Sequence, residues 1–221
     1  MTPTQYATVL PSEQIAAAVR TERLRLCDYL DRLDDAAWAV QSLCSEWTVR
    51  EVVAHLTTTT RTTVFTVLKG AIKARGSFHR MEADTAHDRA ARFSPAQLVA
   101  QLRESAESSR RTPFSSAMDP LMDILVHGQD IARPVGRSHP MRVEVTLPAL
   151  AYVATNRFLG GPARIAGLRL STTDANWSTG DGPVVRGTAE NLLLAAAGRA
   201  AGLAFLEGPG VDRLTDRLAA G

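Results

Sequence analysis

The chain is poor in the features that mark out several protein classes. Its 221 residues hold two cysteines, Cys27 and Cys44. That is too few for a disulfide framework and fits buried free thiols in a reducing compartment. No sign of charge dominates: 25 Lys and Arg stand against 23 Asp and Glu, a net charge of +2. So even a balance gives no electrostatic reason to propose nucleic acid or an anionic membrane as partner. No apolar run approaches a membrane span, and the first residues lack a signal-peptide core. No repeat or low-complexity tract is evident. These absences lead to the expectation of a cytoplasmic protein. With 45% hydrophobic residues the chain can bury a substantial core, as one large domain or two small ones.

What is there gathers around Pro120–Pro134. As a helix, this stretch puts Asp123, His127 and Asp130 at i, i+4 and i+7, on one face. Leu121, Ile124, Leu125, Val126 and Ile131 cover most of the remaining surface, so the helix is expected to be buried and its polar face to meet something other than bulk water. Asp119 can cap it, Pro120 suits its first turn, and Pro134 is expected to stop it. A carboxylate four residues before an imidazole, both facing inward, is a common way for helices to hold a metal.

A second segment answers the first. Thr48 and Glu51 have capping-box spacing, and Trp47 and Val52 that of a hydrophobic staple, so a helix should start at Thr48 and carry His55 among apolar neighbours. If the two helices pack together, His55, Asp123 and His127 can converge on one ion. A lone histidine on an apolar face is more often a satisfied core residue than a ligand; the metal reading rests on two capped, buried helices that each carry inward-looking ligand types. Cys44, just before Trp47, can approach this site, although packing is its simpler role.

The rest of the chain sorts into elements. Ser12 is expected to cap a helix reaching about Leu33, striped by Ile15, Val19, Leu26 and Leu30, with Arg20, Arg23, Arg25 and Arg32 on a solvated, ion-paired face. The Thr48 helix is expected to run to about Lys73 through the threonines at 57–60. Arg75–Arg92 reads as a mobile connection, with His79 and His87 as surface residues. Ser94-Pro95-Ala96-Gln97 opens a helix to about Arg110. Four helices with moderate links suggest an up-and-down bundle over residues 1–140. The composition changes after Gly136, and residues 141–221 are expected to form a second domain. A linker at 137–145, a helix from Thr146 to Leu159, a strand at Arg164–Ser171, a β-hairpin closing at Val184-Val185, a helix to about Arg199, a strand at Leu203–Glu207 and a final helix from Val211 make a small α+β unit.

Residues 44–56, CSEWTVREVVAHL, and 125–134, LVHGQDIARP, resemble the two histidine motifs of the mycothiol-dependent maleylpyruvate isomerase family, part of the DinB-like superfamily. The tail around Thr173–Gly180 and Val185–Arg199 resembles that family's C-terminal domain. The resemblance implies a mainly α protein: a DinB-like four-helix bundle followed by a small, sterol-carrier-like α+β domain. It implies a divalent metal, usually Zn²⁺, on His55, Asp123 and His127. The family pattern has Glu where this chain has Asp123, one methylene shorter, so the ligand geometry shifts or a water intervenes. Mycothiol, a low-molecular-weight thiol, is the implied cofactor, with a small electrophile as substrate. Asp130 is a candidate to orient a ligand, with a helix-end contact to Arg133 as the other reading. Arg199 is a candidate for pairing with an anionic substrate, or a surface residue ending a helix. Isomerase or thiol S-transferase chemistry heads the expectations; a metal-dependent hydrolase without thiol, and a non-catalytic metal- or ligand-binding protein, stay open.

Overall fold

In the computed structural model, which describes residues 6–61, 78–111 and 115–220, the chain forms two compact units. One is Ser12–His139; the other takes in the chain from Pro140 onward. The protein is mainly helical, with one small sheet in the second unit. No helix among the described residues is long and apolar enough to cross a membrane.

The first unit holds α1 (Ser12–Leu30), α2 (Val49–Leu56), α3 (Phe78–Arg92), α4 (Pro95–Glu104) and α5 (Asp119–Val135). Its core is apolar stripes: Ile15, Val19, Leu26 and Leu30 of α1, Val49, Val52 and Val53 of α2, Leu98 and Leu102 of α4, and Leu121, Ile124 and Ile131 of α5 are all buried. The starts of α2 and α4 follow their sequence signals. Glu51 Oε2 accepts from the Thr48 amide at 2.6 Å and hydroxyl at 2.9 Å. Gln97 Oε1 accepts from the Ser94 amide at 2.8 Å. Each reach-back satisfies a donor that a helix start leaves orphaned.

Several boundaries differ from expectation, each for a local reason. The helix α2 ends at Leu56, and turns follow through Arg61. The Thr57 hydroxyl donates to Ala54 O and that of Thr58 to His55 O, both at 2.7 Å. These hydroxyls compete for the carbonyls of the last turn, which is how β-branched polar residues close a helix. The rest of the span to Lys73 lies outside the described residues. Residues 78–92 are helical, not a mobile connection. The signal is a stripe of small residues, Ala83, Ala86 and Ala90, all buried; alanine gives a strong helix with little hydrophobic contrast. His87, half exposed on α3, sets its Nδ1 2.7 Å from Glu51 Oε1. Arg23 leaves the expected solvated face: it is 3% exposed and donates to Ser105 O at 2.7 Å, just past the end of α4. The helices α1 and α4 also stop short of Leu33 and Arg110.

Pro134 does not stop α5. The helix runs one residue further and ends on Gly136, whose φ of 71° is left-handed. Proline has no N–H to give to the carbonyl four residues back, that of Asp130. The Leu43 amide takes that carbonyl instead, at 3.1 Å. The loop before α2 is thereby tied to the turn of α5 that carries Asp130. Asp119 is the first helical residue, and its Oδ2 accepts from the Ser116 amide at 2.7 Å.

The second unit contains α6 (Val143–Thr155), α7 (Gly161–Ile165), β1 (Arg169–Thr172), β2 (Ser178–Thr179), β3 (Val184–Gly187), α8 (Ala189–Ala196) and α9 (Val211–Ala219). The sheet order is β2-β1-β3. Strand β1 pairs antiparallel with β2, Leu170 opposite Thr179, but parallel with β3, Leu170 opposite Val185. The Val184-Val185 segment therefore does not close a hairpin on β2. Gly180 makes the turn possible: at φ 79°, a Cβ there would lie 2.2 Å from Leu168 O. The expected strand at 203–207 is mostly a 3₁₀ turn, Ala200–Phe205, with a single bridge between Glu207 and Arg186. Leu147, Leu150, Leu170, Val185, Leu192 and Leu193 are buried almost completely.

Candidate metal centre

Two helices bring the site together. His55 stands in the last turn of α2, whose start is fixed by the Thr48–Glu51 cap. Asp123 and His127 lie one turn apart on α5. Asp123 Oδ1 is 3.5 Å from His55 Nε2 and 3.3 Å from His127 Nε2. All three ligand atoms lie within 4.8 Å of one another.

These distances discriminate. A charge-assisted hydrogen bond between imidazolium and carboxylate spans about 2.7–2.9 Å. The edge of a tetrahedron with metal–ligand bonds of about 2.0–2.1 Å is roughly 3.3 Å. The Asp123 contacts match the second figure, and the donor set, two imidazoles and one carboxylate, is one that zinc-type centres use with an open position. The residues present fit a divalent cation. The Asp123 side chain is 22% exposed, whereas those of His55 and His127 are only 11% and 10%. The cluster is therefore open on its carboxylate side.

The other ring nitrogen of His127 is held differently. Its Nδ1 is 2.8 Å from Oδ2 of Asp130, a fully buried carboxylate. This is a hydrogen-bond distance to a carboxylate, and it leaves Nε2 as the ring nitrogen that faces Asp123. Asp130 thus reaches His127 along its own helix, and Arg133 Nε donates to Gln129 Oε1 at 3.2 Å. Burial disfavours charge on Asp123, yet His127 and His55 beside it outweigh that and hold its carboxyl well below the usual carboxylate range. Burial likewise pulls His127 down, but Asp123 and Asp130 outweigh it and push the imidazole well above its ordinary value. The cluster is built to favour positive charge at its centre.

Two residues contribute more than the sequence reading assigned them. Trp47 lies against both imidazoles, its ring centroid 4.8 Å from that of His55 and 5.9 Å from that of His127. The His rings meet edge-on at 5.0 Å. A buried indole packed on two imidazoles restricts their rotamers and keeps water off one side. The sequence signal was Trp47 beside a helix cap; only packing reveals which face it covers. Cys44 places Sγ 3.2 Å from Asp130 Oδ2. Cys27, by contrast, is fully buried, and burial pushes its thiol up to about 11, so it is inert near neutral pH. Thr57 is a structural residue: its hydroxyl accepts from Arg89 Nε at 2.9 Å. Arg199 belongs to the second unit, where its Nη1 donates to Ala197 O at 3.1 Å.

The fold and this cluster define a class: a helical unit with a two-histidine, one-carboxylate centre, joined to a small α+β unit. Residues 19–115 match the family model of the mycothiol maleylpyruvate isomerase N-terminal domain. Two solved structures share the fold: the crystal structure of the mycothiol-dependent maleylpyruvate isomerase, and that of a mutant with one histidine replaced by alanine. Each has a TM-score of 0.61 and 16% identity, covering 90% of this chain and 93% of its own. No curated protein matches the chain.

Proposed function

We propose that the chain is a metal-dependent, mycothiol-using enzyme that acts on a small electrophilic substrate, as an isomerase or a thiol S-transferase. The single observation that carries this reading is the placement of Asp123 Oδ1 at 3.5 and 3.3 Å from two imidazole Nε2 atoms, in a unit whose sequence matches the mycothiol maleylpyruvate isomerase N-terminal domain. His55, Asp123 and His127 would hold the cation, Zn²⁺ by the chemistry of the set. Such a cation supplies Lewis acidity that lowers the pKa of a thiol bound at its open position.

The chain's own residues do the rest. Asp130 keeps the Nδ1 proton on His127 and so aims Nε2. Trp47 screens the imidazoles from water. Asp123, the most exposed of the three, borders the side from which a thiol and substrate approach. No membrane or nucleic-acid partner enters the reading, and the cytoplasm is its proposed setting.

The test is metal content and thiol dependence together. Purified wild type should hold about one Zn²⁺ per chain, and His55→Ala and His127→Ala should hold far less. Mycothiol should raise the thermal midpoint of the loaded protein, because a ligand of the native state stabilises it. Equal metal in all three proteins would remove the site assignment. Turnover of an ester or amide without added thiol would replace the reading with a hydrolase.

A further inference from the structure

We propose that Cys44 is a positioning residue for His127, acting through Asp130. The inference rests on the metal reading above and deepens it. Cys44 Sγ lies 3.2 Å from Asp130 Oδ2, the same oxygen that stands 2.8 Å from His127 Nδ1. Asp130 is 0% exposed, and a buried carboxylate is costly unless donors surround it. The thiol donates to that oxygen from the loop side and the imidazole N–H from the helix side. Together they fix the plane of the carboxylate, and the carboxylate fixes the imidazole.

The loop is built to deliver this thiol. The Ser42 hydroxyl donates to Trp47 O at 2.7 Å, and the Trp47 amide to Cys44 O at 3.0 Å. The Leu43 amide closes on Asp130 O, the carbonyl that Pro134 leaves without its helical donor. Backbone and side chain of Asp130 are thus gripped by consecutive residues, Leu43 and Cys44.

A rival arrangement uses the same atoms as a second metal set: Cys44 Sγ, Asp130 Oδ2 and His127 Nδ1. The 2.8 Å between Nδ1 and Oδ2 argues against it. That is a hydrogen-bond length, shorter than the roughly 3.3 Å edge of a coordination tetrahedron. With Nδ1 engaged by a proton, the thiol's part is that of a donor.

Two measurements test the proposal. In the metal-free protein, the infrared S–H stretch of Cys44, assigned by its loss in Cys44→Ser, should sit at lower wavenumber than a free thiol and rise in Asp130→Asn. In the Co²⁺-loaded protein, Cys44→Ala should weaken Co²⁺ binding about tenfold, within the range seen for residues that support a metal-bound histidine, and shift the visible d–d bands. Cys44→Ser, which keeps a donor, should stay within about twofold of wild type. Equal thermal midpoints of the metal-free variants would separate positioning from lost stability. An S–H band at the free-thiol position, or equal weakening by Ser and Ala, would overturn the proposal. So would a second Co²⁺ with a sulfur charge-transfer band. Absence of Co²⁺ binding by wild type would instead sink the metal reading, while the infrared band still decides the hydrogen bond.

Discussion

The two units bury different things. In the helical unit, Glu22, Arg23, His127 and Asp130 are all buried beside an apolar core. In the second unit, the buried polar residues among those described are Thr146 and Thr172, whose hydroxyls donate to nearby carbonyls, those of Arg142 at 2.7 Å and Ala175 at 2.9 Å. Burying a charge costs free energy unless partners answer it, and a threonine hydroxyl satisfied by backbone costs little. The helical unit therefore carries a polar cluster that stability alone does not require. The second unit is a core of leucine and valine with a three-stranded sheet. Chemistry is expected to fail through the first and folding through the second.

The sharpest way to break that contrast is His127→Ala. We expect metal affinity to fall about a thousandfold, roughly 4 kcal/mol, measured by competition with a chromophoric chelator. The far-ultraviolet circular dichroism of the second unit's elements should persist. Next in size is Leu193→Ala, at a position 0% exposed on α8. A cavity there should cost about 2–5 kcal/mol in a urea titration, while the folded fraction binds metal as wild type does. A large loss of metal affinity in that variant would erase the division of labour.

A third effect is set by His139, at the end of the helical unit. Burial, then Arg25 and Arg32, lower its pKa to about 4; its ring packs 5.1 Å from Tyr29 and 3.3 Å from the place a Cβ on Gly128 would take. The native state keeps it neutral while the unfolded chain binds a proton below about pH 6.5. Stability from this residue is complete above that pH and is lost as pH falls from about 6.5 towards 4. Allowing for its partial exposure, we expect about 2 kcal/mol of acid destabilisation, removed in His139→Asn. Equal acid slopes for the two proteins would show that another group is responsible. The smallest effect is Asp130→Asn, which keeps the shape but weakens the acceptor on His127. Metal affinity should drop about tenfold, about 1.4 kcal/mol; an unchanged value would deny Asp130 its orienting role.

The legible parts of the molecule were those with strong local chemistry. Ser94-Pro95-Gln97 and Thr48-Glu51 marked helix starts because caps act within four residues. The spacing of Asp123, His127 and Asp130 put them on one face for the same reason. The misread parts lacked local contrast or had a distant partner. Residues 78–92 form a helix whose buried stripe is alanine, which a hydrophobic pattern barely registers. Arg23 looked like one of several surface arginines until a carbonyl of Ser105, far along the chain, took it inside. Pro134 was expected to end a helix, but a loop amide satisfied the carbonyl it left open.

The order of residues alone settled which side chains share a helix face and where α2 and α4 begin. Periodicity and capping are short-range and need no partner. The tertiary structure alone decided that His55 meets Asp123 across two helices, that Trp47 lies on both imidazoles, and that Cys44 reaches Asp130. Those contacts join residues far apart in sequence, and no local propensity encodes them; they exist because packing two apolar stripes leaves one polar face with nowhere else to go.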